Sequence, residues 1–362
     1  MNAHAPHSCA SCGVKDCHLS FVSRDIAPVA ERTAFVLDEA WPEFRAYIGR
    51  LARPDDQVLI PGLFGQALPR YDWGQGDRVA GWETLRRHVA MKQVARARGA
   101  VRQAAYLRAD HDLATALARR IDYRAGHAVV SQTLLPFLWR AGVLGGRTFD
   151  VLMTRYPLAE LHARLDQVAA ACPKSPTIAD FRAPDALVAD EAEALAAARR
   201  LVTPHHDIAE QAGRRAIWLD WERPRLPGRR PGARVAFLGP TAARQGAYRV
   251  RDIAGHLDMP LIVFGADLEG PGFWRGVDIE RRPMGEAWLD DIGAILHPAA
   301  VTHTPRRLIE AAAQGVSVYA EATCGLAPGQ WRPISDFAPG LFPDAAAHSR
   351  TMDQPARLEM TD

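Results

Sequence analysis

No stretch of this chain reaches the run of about 20 apolar residues that a membrane-spanning helix needs. The N-terminus lacks the apolar segment and small-residue cleavage site of a secretory signal. Both absences predict a cytoplasmic protein with at most peripheral membrane contact. Charge of one sign is also missing: 44 Lys and Arg nearly cancel 42 Asp and Glu, for a formal net charge of +2. No global field therefore attracts nucleic acid. Cysteine is scarce, five in 362 residues with three inside the first 17, which excludes the distributed framework of a secreted disulfide protein and favours a reducing compartment. No repeat recurs at a fixed period.

What is present is ample apolar material, 48% of the chain, enough for two domains with separate cores. Short apolar runs at 33–37, 57–62, 127–131 and 148–154 read as buried strands. An Arg- and Ala-rich stretch from about Trp82 to Ile121 reads as one or two helices. Helices at 157–172 and 190–201, a strand and helix around 201–215 and a strand at 216–221 continue the alternation. The segment 222–234, rich in proline, glycine and arginine, reads as a linker. Beyond it come strands at 234–239, 261–265, 277–283, 292–298 and 316–322, with helices from about Tyr248 to Leu257 and at 306–315. Near-continuous apolar strands alternating with helices imply parallel sheets covered on both faces, with ligands at the carboxyl ends of the strands. The expected division is a Cys-rich segment 1–24, a first domain 25–225, a second domain 226–335 and a tail 336–362.

The segment LHPAAVTHTPRRLIEAAAQGVSVYAEATCG resembles the signature of retaining, glycogen-synthase-like glycosyltransferases. Counted without a gap from Pro298, Glu310, Ala311, Ala313, Gly315 and Val318 fall on family positions. The segment VAFLGPTAARQG is similar to the family's strand and loop at the start of the nucleotide-binding domain. The resemblance implies an α/β fold of GT-B type, two Rossmann-like parallel-sheet domains facing a cleft. It implies a nucleotide sugar as donor substrate, a polysaccharide, lipid-linked or other glycan as acceptor, and transfer with retention. It also implies that Gly239 and Glu310 face the nucleotide, Glu310 through the ribose hydroxyls.

Several positions depart from that signature. The first family glutamate is Thr302, the loop Gly-Arg is Gly239-Pro240, and the Lys-Gly is Gln245-Gly246. Loss of two basic groups at a diphosphate removes several kcal/mol of electrostatic stabilisation, on the order of one or two clamp residues. Arg244, Arg249, Arg306 and Arg307 are the candidates to restore it, since guanidinium groups bind phosphate through paired donors. His303, beside the lost glutamate, is a candidate acid, base or hydrogen-bonding group. Thr304 and Pro305 suit the N-cap and first turn of a helix whose open amides attract an anion. In the first domain the expected family histidine is replaced by the run Thr154, Arg155 and Tyr156. The glycine-rich loop 62–81, with Arg70, Tyr71, Asp72 and Trp73, is a candidate acceptor surface. The competing reading is a catalytically degenerate relative acting in assembly or sensing.

The N-terminal segment stands apart from the resemblance. Cys9, Cys12 and Cys17, with His18 or His7 as a fourth ligand, have the density that a zinc ion needs from a short turn; an iron–sulfur cluster is the alternative.

Overall fold

The structure is a computed structural model and describes residues 29–339 except 65, 67, 95–98, 180 and 225–231. The chain divides into two compact units. Unit 1 comprises Met1–Arg164 and Ala179–Glu222, and unit 2 comprises Leu165–Ile178 and everything from Arg223 onward. The sequence places 165–178 in the first domain; in three dimensions that segment packs with the second.

Unit 1 carries β1 (Val29–Val36), α1 (Pro42–Leu51), β2 (Gln57–Pro61), β3 (Asp77–Val79), α2 (Gly81–Gln93), α3 (Gly99–Ala118), β4 (Ala125–Ser131), α4 (Leu135–Arg140), β5 (Thr148–Leu152), the start of α5 (Leu158–Ala171), α6 (Asp185–Ala197), β6 (Arg200–Thr203), α7 (His206–Ala212) and β7 (Ala216–Trp218). Its seven strands are ordered β3-β2-β1-β4-β5-β6-β7, all neighbours parallel. Burial explains the composition of each strand. Ala34, Phe35 and Val36 in the centre are almost wholly inaccessible, because helices cover a parallel sheet on both faces. The rim strand β3 is Asp-Arg-Val and mostly exposed, as expected of an edge that must not recruit another strand.

Helix α1 has no counterpart in the sequence reading. Pro42 opens it, Glu43 sits in its first turn, and Phe44, Tyr47 and Ile48 form a buried stripe at helical spacing.

Unit 2 carries β8 (Arg234–Phe237), α8 (Ala247–Ala254), β9 (Leu261–Phe264), β10 (Ile279–Arg282), β11 (Ile292–His297), α9 (Arg306–Ala313), β12 (Ser317–Ala320) and β13 (Arg332–Pro333). The order is β10-β9-β8-β11-β12-β13, again all parallel. All six residues of β11 and all four of β9 are buried. One face packs Phe237, Val250, Leu261, Val263, Trp274 and Tyr319 into a continuous cluster. The expected α/β class with two Rossmann-like parallel sheets is therefore the observed one. Among the described residues no helix is long and apolar enough to cross a membrane.

Candidate functional site

In unit 2 the chain leaves β8 for β9 on one side and leaves β11 for β12 on the other, so the sheet order reverses between β8 and β11. The two loops at their carboxyl ends border the crevice where open α/β sheets bind ligands. These are the two segments that carry the sequence signature.

The loop after β8 is tightly built. Gly239 has φ +44, and a Cβ there would lie 2.0 Å from the Phe264 carbonyl oxygen. Only glycine fits. Thr241 is fully buried; its hydroxyl donates to Asp267 Oδ1 at 2.9 Å and accepts from Trp274 Nε1 at 3.1 Å. A short 3-10 turn, Ala243–Gln245, carries Arg244, and Gly246 caps α8 at φ +75. A Cβ on Gly246 would come 2.2 Å from the Pro298 carbonyl, and the Ala300 amide donates to the Arg244 carbonyl at 2.9 Å. The structure thus brings the Gly239–Gly246 loop against the Pro298–Pro305 loop.

The second loop begins at His297, which is buried, with Nε2 2.8 Å from Thr302 Oγ1 and no hydrogen-bond partner for Nδ1 among the described residues. Burial lowers its pKa to about 4, so the ring is neutral over the ordinary pH range. The Ala299 carbonyl is held by Thr323 Oγ1 at 2.5 Å. His303 is half-buried in the same loop, and Thr304 is exposed.

The structure gives four of the sequence candidates these surroundings. Thr304 does not cap α9: the N-cap is Pro305, with no side-chain cap bond, because the helix begins one residue later than the Thr-Pro pattern suggests. Glu310 accepts from Trp288 Nε1 at 3.0 Å and from Arg307 at 2.7 Å. Arg307 is committed to that carboxylate and to the Trp288 ring, 5.6 Å from its centroid. Arg249 is likewise paired, with Glu321. Arg244 and Arg306 are half-buried on the two bordering loops.

The sequence reading missed Glu269, in the loop after β9. Its Oε1 accepts from the Ala243 amide at 2.7 Å, Thr177 Oγ1 at 2.7 Å and Ser175 Oγ at 2.8 Å, and its Oε2 from the Tyr248 hydroxyl at 3.0 Å. Burial, then this hydrogen bond, pushes Tyr248 up to about 12. No local pattern betrays these contacts, because Ser175 and Thr177 lie more than 90 residues earlier in the chain.

Unit 1 has its own reversal, between β1 and β4. Asp38, just past β1, takes both terminal nitrogens of Arg87, at 2.5 and 2.9 Å, and the Thr133 hydroxyl at 2.8 Å. Arg87 also reaches Asp110 at 2.8 Å. Burial raises the pKa of Asp38, but Arg87 and Thr133 outweigh it and leave it below the usual carboxylate range. For Asp110 burial prevails and lifts it to about 6. In the glycine-rich loop, Tyr71 and Trp73 are buried, Trp73 donating to the Asp38 carbonyl at 2.7 Å. Arg70 pairs with Glu39 and Asp72 with Arg45. The aromatic groups this region shows to solvent are Phe64, 70% exposed, and Trp82, 59% exposed. Past β5, Arg155 is paired with Glu191 and the Tyr156 hydroxyl donates to Asp207 at 2.5 Å.

Among the described residues no group of three or more His, Cys, Asp or Glu side chains is placed to hold a metal. Cys9, Cys12, Cys17 and His18 lie outside the described residues.

No family model and no curated protein matches the chain. Among solved structures, the chain is similar to LpCGTa in complex with UDP, with TM-score 0.41 and 13% identity over 89% of this chain and 92% of that one. It is similar to Anabaena HepE in complex with UDP and glucose, with TM-score 0.39 and 12% identity over 80% of each chain. It is also similar to CalG4, the calicheamicin glycosyltransferase, with TM-score 0.38 and 13% identity over 81% of this chain and 79% of that one.

Proposed function

We propose that the protein is a glycosyltransferase of GT-B type that transfers a sugar from a nucleotide sugar to a glycan or lipid-linked acceptor, with retention. The observation that carries this reading is a coincidence of two independent facts. The segment whose residues match the family signature in register, Pro298 to Val318, starts at the carboxyl end of β11, where the order of the unit 2 sheet reverses.

In this reading the diphosphate lies over the loops after β8 and β11. The open amides at the start of α8 and α9 and the guanidinium groups of Arg244 and Arg306 stabilise the negative charge that grows as the bond to the anomeric carbon breaks. Such preorganised donors are worth about 3 kcal/mol each when they meet charge that develops in the transition state. His303 supplies a hydrogen bond to the sugar or the leaving group. Orientation of the acceptor's hydroxyl group completes the chemistry without a covalent intermediate on the protein. The cysteine-rich N-terminus, Cys9, Cys12 and Cys17 with His18, holds a zinc ion, or an iron–sulfur cluster, in a cytoplasmic chain.

The test is thermal denaturation with a panel of UDP- and GDP-linked sugars. A donor present at about 100 times its Kd stabilises by about 2.7 kcal/mol, a shift of a few degrees. Arg244→Ala should abolish most of that shift while leaving the unliganded Tm within about 2 °C of wild type. A panel in which no nucleotide sugar raises the Tm at millimolar concentration refutes the proposal.

A further inference from the structure

Glu269 is given no role by the reading above. Four donors converge on its carboxylate, and they come from three separate parts of unit 2: Ser175 and Thr177 from the segment before Ile178, the Ala243 amide from the loop after β8, and Tyr248 from the first turn of α8. Ser175 and Thr177 are buried, with their hydroxyl oxygens 3.0 Å apart. The Glu269 amide in turn donates to the Thr241 carbonyl at 3.2 Å. The loop that borders the crevice is therefore clamped to one residue at both Thr241 and Ala243.

The geometry gives that clamp a consequence beyond stability. Ala243 opens the turn that carries Arg244, and the Arg244 carbonyl receives the Ala300 amide from the opposite loop. Tyr248 is the second residue of α8, within the first turn where the helix shows its open amides. A carboxylate that fixes Ala243 and Tyr248 fixes, through two covalent neighbours, both Arg244 and the α8 terminus. Charge-assisted hydrogen bonds of this kind are shorter and about twice as strong as neutral ones, and four on one carboxylate leave it well compensated beside a site meant for an anion. We infer that Glu269 is a positioning residue that holds the loop of residues 240–246 in the shape that receives the nucleotide diphosphate. The inference rests on the donor-binding reading of the unit 2 crevice.

The contact geometry separates two substitutions. Glu269→Gln keeps an acceptor oxygen for Ala243, Ser175 and Thr177 and can donate to the Tyr248 oxygen. Glu269→Ala removes the shared acceptor: the Ala243 amide keeps only Thr177 Oγ1, at 3.2 Å, one of the Ser175 and Thr177 hydroxyls can turn to the other, and the Tyr248 hydroxyl loses its carboxylate. A control is Glu280→Ala: Glu280 pairs with Arg234 at 2.8 Å, at the amino end of β8 and so at the opposite edge of the sheet.

The experiment is calorimetric titration with UDP of the wild type and the three variants, together with their Tm values and hydrogen exchange of a peptide spanning 241–248. Glu269→Ala should weaken UDP binding by about tenfold or more, since each buried donor left without its partner is worth roughly a factor of ten. It should also speed exchange in that peptide. Glu269→Gln should bind UDP within about threefold of wild type. Glu280→Ala should lower the Tm and leave the UDP Kd unchanged. Wild-type affinity in Glu269→Ala, or a Glu269→Gln variant as weak as Glu269→Ala, overturns the inference while the donor reading stands. If the wild type binds neither UDP nor any nucleotide sugar, the donor reading itself falls, and the positioning role with it.

Discussion

At the scale of single residues, His297 turns burial into a pH response. Its imidazole is 7% exposed and burial holds its pKa at about 4 against an ordinary 6.5. As pH falls through 6.5 the unfolded chain takes up a proton that the native state refuses until about 4, so stability is lost across that window. At about 1.4 kcal/mol per pKa unit the loss is about 3 kcal/mol. Urea titrations of wild type and His297→Gln at pH 7 and pH 4 should show the wild type losing that much relative to the variant. Asp110 works with the opposite sign. Its native pKa lies above the ordinary value of 3.8, at about 6, so it favours the fold at low pH and costs stability as pH rises from about 4 through 6. Relative to Asp110→Asn, the wild type should weaken on going from pH 4 to pH 7. Curves for which either variant runs parallel to wild type would contradict the corresponding assignment.

At the scale of elements, the contact between the loops after β8 and β11 has a single tight point at Gly246. Any side chain there meets the Pro298 carbonyl and must also adopt a left-handed backbone. Gly246→Ala should cost about 2 kcal/mol or more, from backbone strain and from separation of the loops, and should weaken nucleotide binding. Gly255, at the other end of α8, has φ −63 and nothing nearer a Cβ than the Asp252 carbonyl at 3.5 Å. Gly255→Ala should be neutral or slightly stabilising. Urea midpoints for the two variants decide this. The same contrast shows what sequence can and cannot reveal. Central strands such as Leu261–Phe264 and Ile292–His297 were legible because burial on both faces demands an unbroken apolar run. The two-residue β13 and the three-residue β3 are polar rims without a pattern, and α1 has an apolar stripe of only three residues. The loops after β8 and β11 were legible as the ends of two predicted strands. The partners that brace them were not: nothing in the sequence singles out Glu269 or Trp288 before the fold sets them beside Ala243 and Glu310.

At the scale of the whole molecule, the N-terminal cysteines and the unit 2 crevice are expected to act separately. If the proposed readings hold, protein lacking residues 1–24 should contain no metal by elemental analysis of untagged protein and should bind nucleotide sugar as the whole chain does. Loss of both together would show that the metal segment supports the crevice. The division of the chain has a further consequence. Backbone passes between the units three times, at residues 164–165, 178–179 and 222–223, so neither half is a continuous stretch of sequence. Residues 223–339 expressed alone would contain every strand of the second sheet yet lack Ser175 and Thr177, leaving Glu269 two donors short. A gene-level cut at the proline-rich linker thus does not cut along the seam of the fold. Recombination that exchanged everything after the linker would transplant the loop after β8 without the Ser175 and Thr177 hydroxyl groups that hold Glu269, and would have to bring residues 165–178 along to keep them.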